Sequence, residues 1–130
     1  MAVCTRRWKL NKSLILSVTM VFAAALLSGF SIANAADLAA AEANYQGFCL
    51  KCHGVDGKGD GPAAAILSKK PQDYTDCAYM AKQSDEKLFN VIKNGGAANG
   101  LGPDMQAWKD AFEDNEIRDL VAYVRTFCKK

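Results

Sequence analysis

A five-residue segment, Cys49-Leu50-Lys51-Cys52-His53, restricts the fold of this chain more than any other feature of its sequence. It holds two cysteines three positions apart, followed by the only histidine of the chain. Positions i, i+3 and i+4 share one face of a helical turn, whereas a strand would point the two cysteines to opposite faces. On a helix, the two thiols reach the two vinyl groups of one haem while the imidazole lies below its iron. The spacing is that of covalent haem attachment, so it predicts haem c on Cys49 and Cys52 with His53 as an axial iron ligand.

Closely spaced cysteines also serve two other chemistries. A thiol–disulfide redox pair is expected near a β-α-β pattern, which the sequence does not contain. A zinc site needs four ligands, and the downstream cysteines, Cys77 and Cys128, do not form a second close pair. With a single histidine, any chemistry that needs two, such as a two-histidine zinc protease motif, is excluded.

Residues 1–35 have the three-part plan of a secretory signal peptide. A basic start without acidic residues precedes an apolar run from Leu14 to Phe30, and Ala33-Asn34-Ala35 supplies small residues at a cleavage-type spacing. We therefore expect cleavage after Ala35, export to the periplasm and a mature domain over residues 36–130. The alternative is an uncleaved membrane anchor, although the run is shorter than the roughly 20 apolar residues that span a bilayer.

Removal of the predicted signal changes the charge of the chain. The 130 residues hold 16 Lys and Arg against 14 Asp and Glu, a formal net charge of +2. Four of the bases and none of the acids lie in the signal, so the mature domain is slightly acidic. Neither this balance nor any basic run supports nucleic-acid binding. A domain this small often needs a cross-link, a metal or a cofactor to support its thin core.

The hydrophobic pattern of the mature chain predicts an all-α fold, because no stretch alternates at period two. Two glycine-rich loops, at residues 54–62 and 95–107, separate the helices and are long for simple connections. The predicted helices are 38–48 behind an Asp37 cap, a short helix at 63–69, a helix that follows Ser84 and ends at Asn94-Gly95-Gly96, and a last helix with an apolar stripe from Ile117 to Cys128.

Four segments of the mature chain carry a resemblance to a known family. They are Cys49 to His53, the glycine-rich run Gly54 to Pro62, the loop Gly100 to Trp108 and the last-helix segment 117–125. Together they resemble a class I monohaem cytochrome c of bacterial periplasmic type, and the likeness covers nearly all of residues 36–130.

The resemblance implies a small fold in which the N- and C-terminal helices cross and long loops enclose one haem. Tyr45 and Tyr123 match the aromatic positions near this crossing, and Ala41 stands where the family often has glycine. Tyr74 and Trp108 resemble residues that pack on the haem edge or reach its propionates, although both also suit a plain aromatic core. The backbone carbonyl of Pro62 matches the acceptor of the second N–H of the axial histidine.

The sixth iron ligand has two candidates in the mature chain. A second histidine is absent, so the choice lies between Met105 and Met80. Met105 lies in the Gly/Pro loop and matches the ligand methionine of the family. Met80 is the less favoured candidate and is assigned to packing in the core.

Cys77 and Cys128 remain after the haem motif is assigned. In an oxidising compartment, two spare cysteines in a small domain are expected to pair, which predicts a disulfide between them. Two free buried thiols, or an intermolecular bond through Cys128, are the alternatives.

The resemblance implies a periplasmic carrier of single electrons rather than an enzyme, with Fe(III)/Fe(II) cycling between His and Met ligands. The expected partners are redox proteins such as an oxidase, a reductase or a dehydrogenase, bound transiently by a monomer. Nucleic acid is not expected, and membrane association is expected only for an uncleaved signal. A catalytic or sensing haem with an open sixth site, and a dedicated subunit of an oxidase or dehydrogenase, are the competing interpretations.

Overall fold

All regular elements of the described part of the chain, residues 35–129 of a computed structural model, are helical. This confirms the predicted all-α class. The prediction of a signal peptide concerns residues that lie, apart from Ala35, outside this range. The elements in chain order are α1 (Leu38–Asn44), a π-helical segment (Tyr45–Cys49), α2 (Leu50–His53), a 3-10 turn (Ala64–Ile66), α3 (Cys77–Met80), α4 (Asp85–Ala98), α5 (Asp114–Thr126) and a terminal 3-10 turn (Phe127–Lys129).

The first helical segment is longer than the sequence predicted. Asp37 begins it as expected, because its carboxylate accepts a hydrogen bond from the amide of Ala40 at 3.0 Å. The helical run then continues through the π-helical segment and α2 without a break, and it ends at His53. π-Helical segments of this kind occur frequently at functional sites. Here the segment ends on Cys49, the first cysteine of the haem motif.

The predicted helix at 63–69 is wrong in length, since only a 3-10 turn forms at Ala64–Ile66. No side chain caps this turn, and Leu67 is already extended with ψ 148°. A single turn without a cap cannot offset the cost of helix nucleation. Helix α3 was not predicted; Asp76 caps it by accepting from the amide of Tyr79 at 2.9 Å.

Helix α4 begins and breaks where the sequence predicted. The hydroxyl of Ser84 accepts from the amide of Lys87 at 3.1 Å and starts the helix. At Gly95 the backbone turns to φ 81° and ψ 168°, a conformation that L side chains rarely adopt. The helical run therefore kinks there, and its last residues point toward the following loop.

Helix α5 packs against α1 and α4, which places the crossing of the two terminal helices at the centre of the fold. Ala41 and Tyr45 from the first segment are each 1% exposed at this contact. The Tyr45 ring lies 5.4 Å from that of Tyr123 and 5.3 Å from that of Phe127. The predicted crossing and its aromatic residues are thus confirmed. Within residues 35–129, no helix is long and apolar enough to cross a membrane.

Candidate haem site

The haem motif lies at the end of the first helical segment. Cys49 closes the π-helical segment, while Cys52 and His53 belong to α2. Both thiols are half-buried, and His53 is 8% exposed. Burial, and next the neighbouring Cys52, raise the pKa of Cys49 to about 12, so this thiol is protonated at neutral pH. Because Cys49, Cys52 and His53 all lie in this continuous helical run, the helical turn that the motif predicted is present.

His53 is held as a neutral imidazole. Burial lowers its pKa to about 4, far below neutral pH. Its ring stacks on that of Tyr74 with centroids 4.7 Å apart, and its Nε2 lies 3.3 Å from the Tyr74 hydroxyl. The neutral form is the one that binds metals. A nitrogen that binds iron cannot also accept from a hydroxyl, so Tyr74 gives up this contact wherever Nε2 is the ligating atom.

The second nitrogen of His53 has no hydrogen bond. Nδ1 is buried and, among the described residues, forms no hydrogen bond of normal geometry, although the Gln72 backbone is close enough to His53 to raise its pKa slightly against the effect of burial; a bond to the Pro62 carbonyl is not present. The segment around Pro62 nevertheless runs beside α2. The amide of Gly61 donates to the carbonyl of Cys52 at 3.2 Å, and that of Ala63 donates to the carbonyl of Lys51 at 2.9 Å. Pro62 itself is exposed, and its role as an acceptor stays a prediction.

The glycine-rich run after the motif allows backbone to approach backbone. A Cβ atom on Gly61 would lie 2.5 Å from the carbonyl oxygens of Leu50 and Lys51, too close for any side chain. A Cβ on Gly57, where φ is 73°, would lie 2.9 Å from the ring of Phe127. At the start of this run, the Tyr45 hydroxyl donates to the carbonyl of Gly54 at 2.8 Å. The loop is therefore drawn tightly around α2, as the spacing of its glycines indicated.

The loop that contains Met105 is fixed by the break in α4. The amide of Gly96 donates to the Met105 carbonyl at 2.8 Å, and a Cβ atom on Gly96 would lie 2.1 Å from the carbonyl oxygen of Gly102. Met105 is half-buried at the margin of the core. Met80 is 1% exposed and fully inside it. Of these two methionines, Met105 lies on a loop, whereas Met80 lies in α3.

A second contact that holds this loop in place could not be predicted from the sequence. The Asp104 carboxylate accepts from the Ser68 amide at 2.9 Å and also from the Ser68 hydroxyl. These hydrogen bonds lower the pKa of Asp104, although the side chain is exposed. The two residues are 36 positions apart, so only the folded chain brings them together.

Aromatic side chains continue from the motif to the Met105 loop. Phe48, directly before Cys49, is 50% exposed. Its ring meets that of Trp108 at 5.5 Å and that of Phe112 at 5.2 Å, both edge to face. Trp108 was predicted to lie in the haem pocket, whereas Phe48 was predicted only as part of its helix. The place of Phe48 directly before the first cysteine could have indicated that its ring lies beside the haem motif.

The residues present fit a covalently held haem. Two half-buried thiols and a buried, neutral imidazole with one unpaired nitrogen share a helical end. Zinc has less support, because residues 35–129 contain no group of three or more His, Cys, Asp or Glu side chains able to hold a metal ion.

Comparison with known proteins agrees with this site. The model of the family "Cytochrome C oxidase, cbb3-type, subunit III" matches residues 36–124. Cytochrome c6 of Synechocystis sp. is 30% identical over 105 residues, which cover 81% of this chain and 78% of the relative. The solved structure of the KustC0563 c-type cytochrome is 29% identical with a TM-score of 0.54, covering 67% of this chain and 95% of that one.

The fold and the motif therefore define a small all-α haem protein that takes part in electron transfer. More narrowly, the chain belongs to the class I monohaem cytochromes c, and its cofactor is one covalently attached haem c.

Proposed function

We propose that this cytochrome is an exported, non-enzymatic carrier of single electrons, with His53 and Met105 as the two axial ligands of its iron. The observation that carries the proposal is the pairing of a buried, neutral imidazole with two thiols at the end of one helical segment. Cys49 and Cys52 hold the haem through thioether bonds. When bound, haem c supplies reversible one-electron exchange at its iron.

The chain itself supports Met105 as the sixth ligand. The break at Gly95 and the Gly96–Met105 hydrogen bond hold the loop in place, while Met80 packs in the core. A thioether favours ferrous iron and raises the reduction potential. With both axial positions filled by protein, no position stays open for oxygen or peroxide, which suits a carrier better than an enzyme.

The remaining pocket residues serve orientation and shielding. The Pro62 carbonyl is the proposed acceptor for the unpaired Nδ1 of His53, which would fix the plane of the imidazole ring. Tyr74 covers one side of the imidazole, and Trp108 with Phe48 forms an aromatic wall beside Cys49. Aromatic surface of this kind keeps water from the ligands and lowers the local dielectric.

Export is the second part of the proposal. The match to the family begins at residue 36, the first residue after the predicted cleavage site. Residues 1–35 then act as a signal peptide that carries the chain to the periplasm. There the monomer would meet redox proteins, such as an oxidase, a reductase or a dehydrogenase, through a small and transient interface.

The test uses the ferrous holoprotein purified from the periplasmic fraction. Mixing with carbon monoxide should leave its spectrum unchanged for minutes, because Met105 occupies the sixth position. Rapid carbon monoxide binding would overturn the carrier function in favour of a catalytic or sensing haem. N-terminal sequencing of the same sample should begin at Ala36, and an intact Met1 would refute cleavage.

A further inference from the structure

Two cysteines outside the haem motif lie side by side on the surface. Cys77 begins α3, and Cys128 lies in the terminal 3-10 turn, 51 positions away along the chain. The Sγ atom of Cys77 lies 3.3 Å from the carbonyl oxygen of Cys128, and the Cys77 thiol is close enough to the Cys128 thiol to raise its pKa. Cys77 is exposed, whereas Cys128 is half-buried. Both thiols are free in the structure.

Both thiols contact backbone carbonyls of the segment that contains Tyr74. The Cys128 thiol donates to the Tyr74 carbonyl at 3.1 Å, and the Cys77 thiol lies 3.4 Å from the Thr75 carbonyl. On its other side, Tyr74 stacks against His53. A change at the two cysteines therefore acts on the segment that covers the imidazole.

We propose that Cys77 and Cys128 are a thiol–disulfide exchange site, whose oxidation forms an intramolecular bridge that holds the Tyr74–Cys77 segment on the C-terminal turn. The donor is a disulfide-bonded thiol oxidant. The Cys77 thiolate attacks one donor sulfur and forms a mixed disulfide; Cys128 then attacks Cys77 and releases the donor as a dithiol. Two protons and two electrons leave the cysteines, and the donor takes up both electrons.

The surroundings of the two thiols set their order of reaction. Cys77 is the accessible one and meets the donor first. The interaction with the neighbouring Cys77 thiol, and next burial, raise the pKa of Cys128 to about 11, which keeps this thiol protonated while Cys77 is reduced. A mixed disulfide on Cys77 removes that interaction, so the thiolate form of Cys128 becomes accessible and resolves the intermediate.

The proposal rests on the proposed export only for the natural source of the donor, since the cytosol keeps thiols reduced. The first experiment therefore uses purified mature holoprotein in vitro. It is reduced with dithiothreitol, treated with oxidised glutathione as the probe, alkylated and weighed by mass spectrometry. The thioether-bound Cys49 and Cys52 do not react, so only Cys77 and Cys128 are counted.

We expect two alkylated thiols before the glutathione treatment and none after it, with a monomer in which the peptides of Cys77 and Cys128 are linked. Two alkylated thiols after treatment, or a disulfide-linked dimer, would overturn the proposal. A protein that forms the bridge in vitro but stays uncleaved in the cytosol would contradict export alone.

Single variants test the order of attack while leaving the haem spectrum unchanged. Cys128→Ser should accumulate one glutathione on Cys77, because no resolving thiol remains. Cys77→Ser should take up glutathione at least tenfold more slowly, because its remaining thiol is half-buried. Equal rates would contradict the assigned roles.

The bridge should also raise the melting temperature. A disulfide that closes a long loop is expected to raise it by roughly 10 °C or more in a domain of this size. Dithiothreitol should remove this increase in the wild type and leave the Cys77→Ser/Cys128→Ser double variant unchanged. An equal melting temperature for oxidised and reduced wild type would show that the bridge does not hold the segment.

Discussion

Tyr45 links the crossing of the terminal helices to the haem motif through a single buried hydrogen bond. Its ring packs against Tyr123 and Phe127, and its hydroxyl donates to the carbonyl of Gly54, the residue after His53. Burial raises the pKa of Tyr45 well above its usual value, so the hydroxyl remains a donor at all ordinary pH values. The residue therefore stabilises the turn that follows His53.

We expect Tyr45→Phe to lower the free energy of unfolding by about 1–2 kcal/mol, because the buried carbonyl of Gly54 loses its donor while the ring packing stays. Denaturant unfolding of the holoprotein measures this loss. Tyr79→Phe is the matched control, since Tyr79 is half-buried and its hydrogen bonds within residues 35–129 are made by its backbone. An equal effect of both variants would contradict the role of Tyr45.

Asp104 makes the stability of the Met105 loop dependent on pH. Its hydrogen bonds from Ser68 lower the pKa of Asp104 in the folded protein. A lowered carboxyl pKa contributes stability that is present above the unfolded value, near 4, and lost as the pH falls through the lower folded value. Asp104→Asn should therefore lower the melting temperature at pH 7, with a difference from wild type that shrinks below pH 4.

Thermal melts between pH 2 and pH 7 follow this difference. Asp110→Asn is the control, because Asp110 is an exposed residue of the same charge. A melting difference for Asp104→Asn that stays constant down to pH 2 would contradict the assigned hydrogen bonds.

The starts of α1, α4 and α5 were predictable because they depend on side chains close in sequence. Asp37 and Ser84 cap their helices as expected, and Glu113 with Glu116 forms a capping box before α5. No sequence pattern marked the π-helical segment, and the turn at Ala64–Ile66 is shorter than predicted because no side chain caps it. The amphipathic stripe of α5 was the clearest signal, since period 3.6 is read directly from the sequence.

The contact between the glycine loop and α2 depends on the absence of a side chain at Gly61. We expect Gly61→Ala to destabilise the holoprotein by about 1–3 kcal/mol, because the added Cβ would overlap two carbonyl oxygens and displace the backbone. Gly47→Ala is the control, since a Cβ there meets nothing within 4 Å and lies in a helical segment. The free energy of unfolding of both variants decides the point, and a destabilised Gly47→Ala with an unaffected Gly61→Ala would contradict it.

Arg125 joins α5 to the turn between α3 and α4. Its guanidinium donates to the Met80 carbonyl at 2.6 Å, to the Gln83 carbonyl and to the Asp85 carboxylate at 2.7 Å. The contacts fix the segment that leads from the buried Met80 into α4. They hold α5 against the start of α4.

We expect Arg125→Gln to cost about 2–3 kcal/mol, because two carbonyls and one carboxylate lose their donor together. Arg118→Gln removes the exposed pair with Glu86, in which the two side chains are 57% and 68% exposed, and the contact of the guanidinium with the Phe89 ring at 4.5 Å; it should cost about 1 kcal/mol. Urea unfolding at low and high salt separates the two. A loss for Arg125→Gln no larger than that for Arg118→Gln would contradict the account.

At the scale of the whole molecule, local motifs predicted more of the site than long-range contacts did. Cys49, Cys52 and His53 were predictable because their spacing is a property of one helical turn. The neutral, buried state of His53 depends on Tyr74, which lies 21 positions away, and the Ser68–Asp104 contact depends on the folded loops. A sequence pattern cannot show such contacts, because they arise only when the chain closes on itself.

The most direct test of the account is the identity of the sixth ligand. Met105→Leu and Met80→Leu are matched variants, because leucine keeps the volume and apolar character of either side chain. The long-wavelength band of the ferric holoprotein, which marks iron bonded to methionine, is the measurement. The account predicts that Met105→Leu loses the band and shows a lower reduction potential, while Met80→Leu keeps both. A band that survives in Met105→Leu and disappears in Met80→Leu would contradict it.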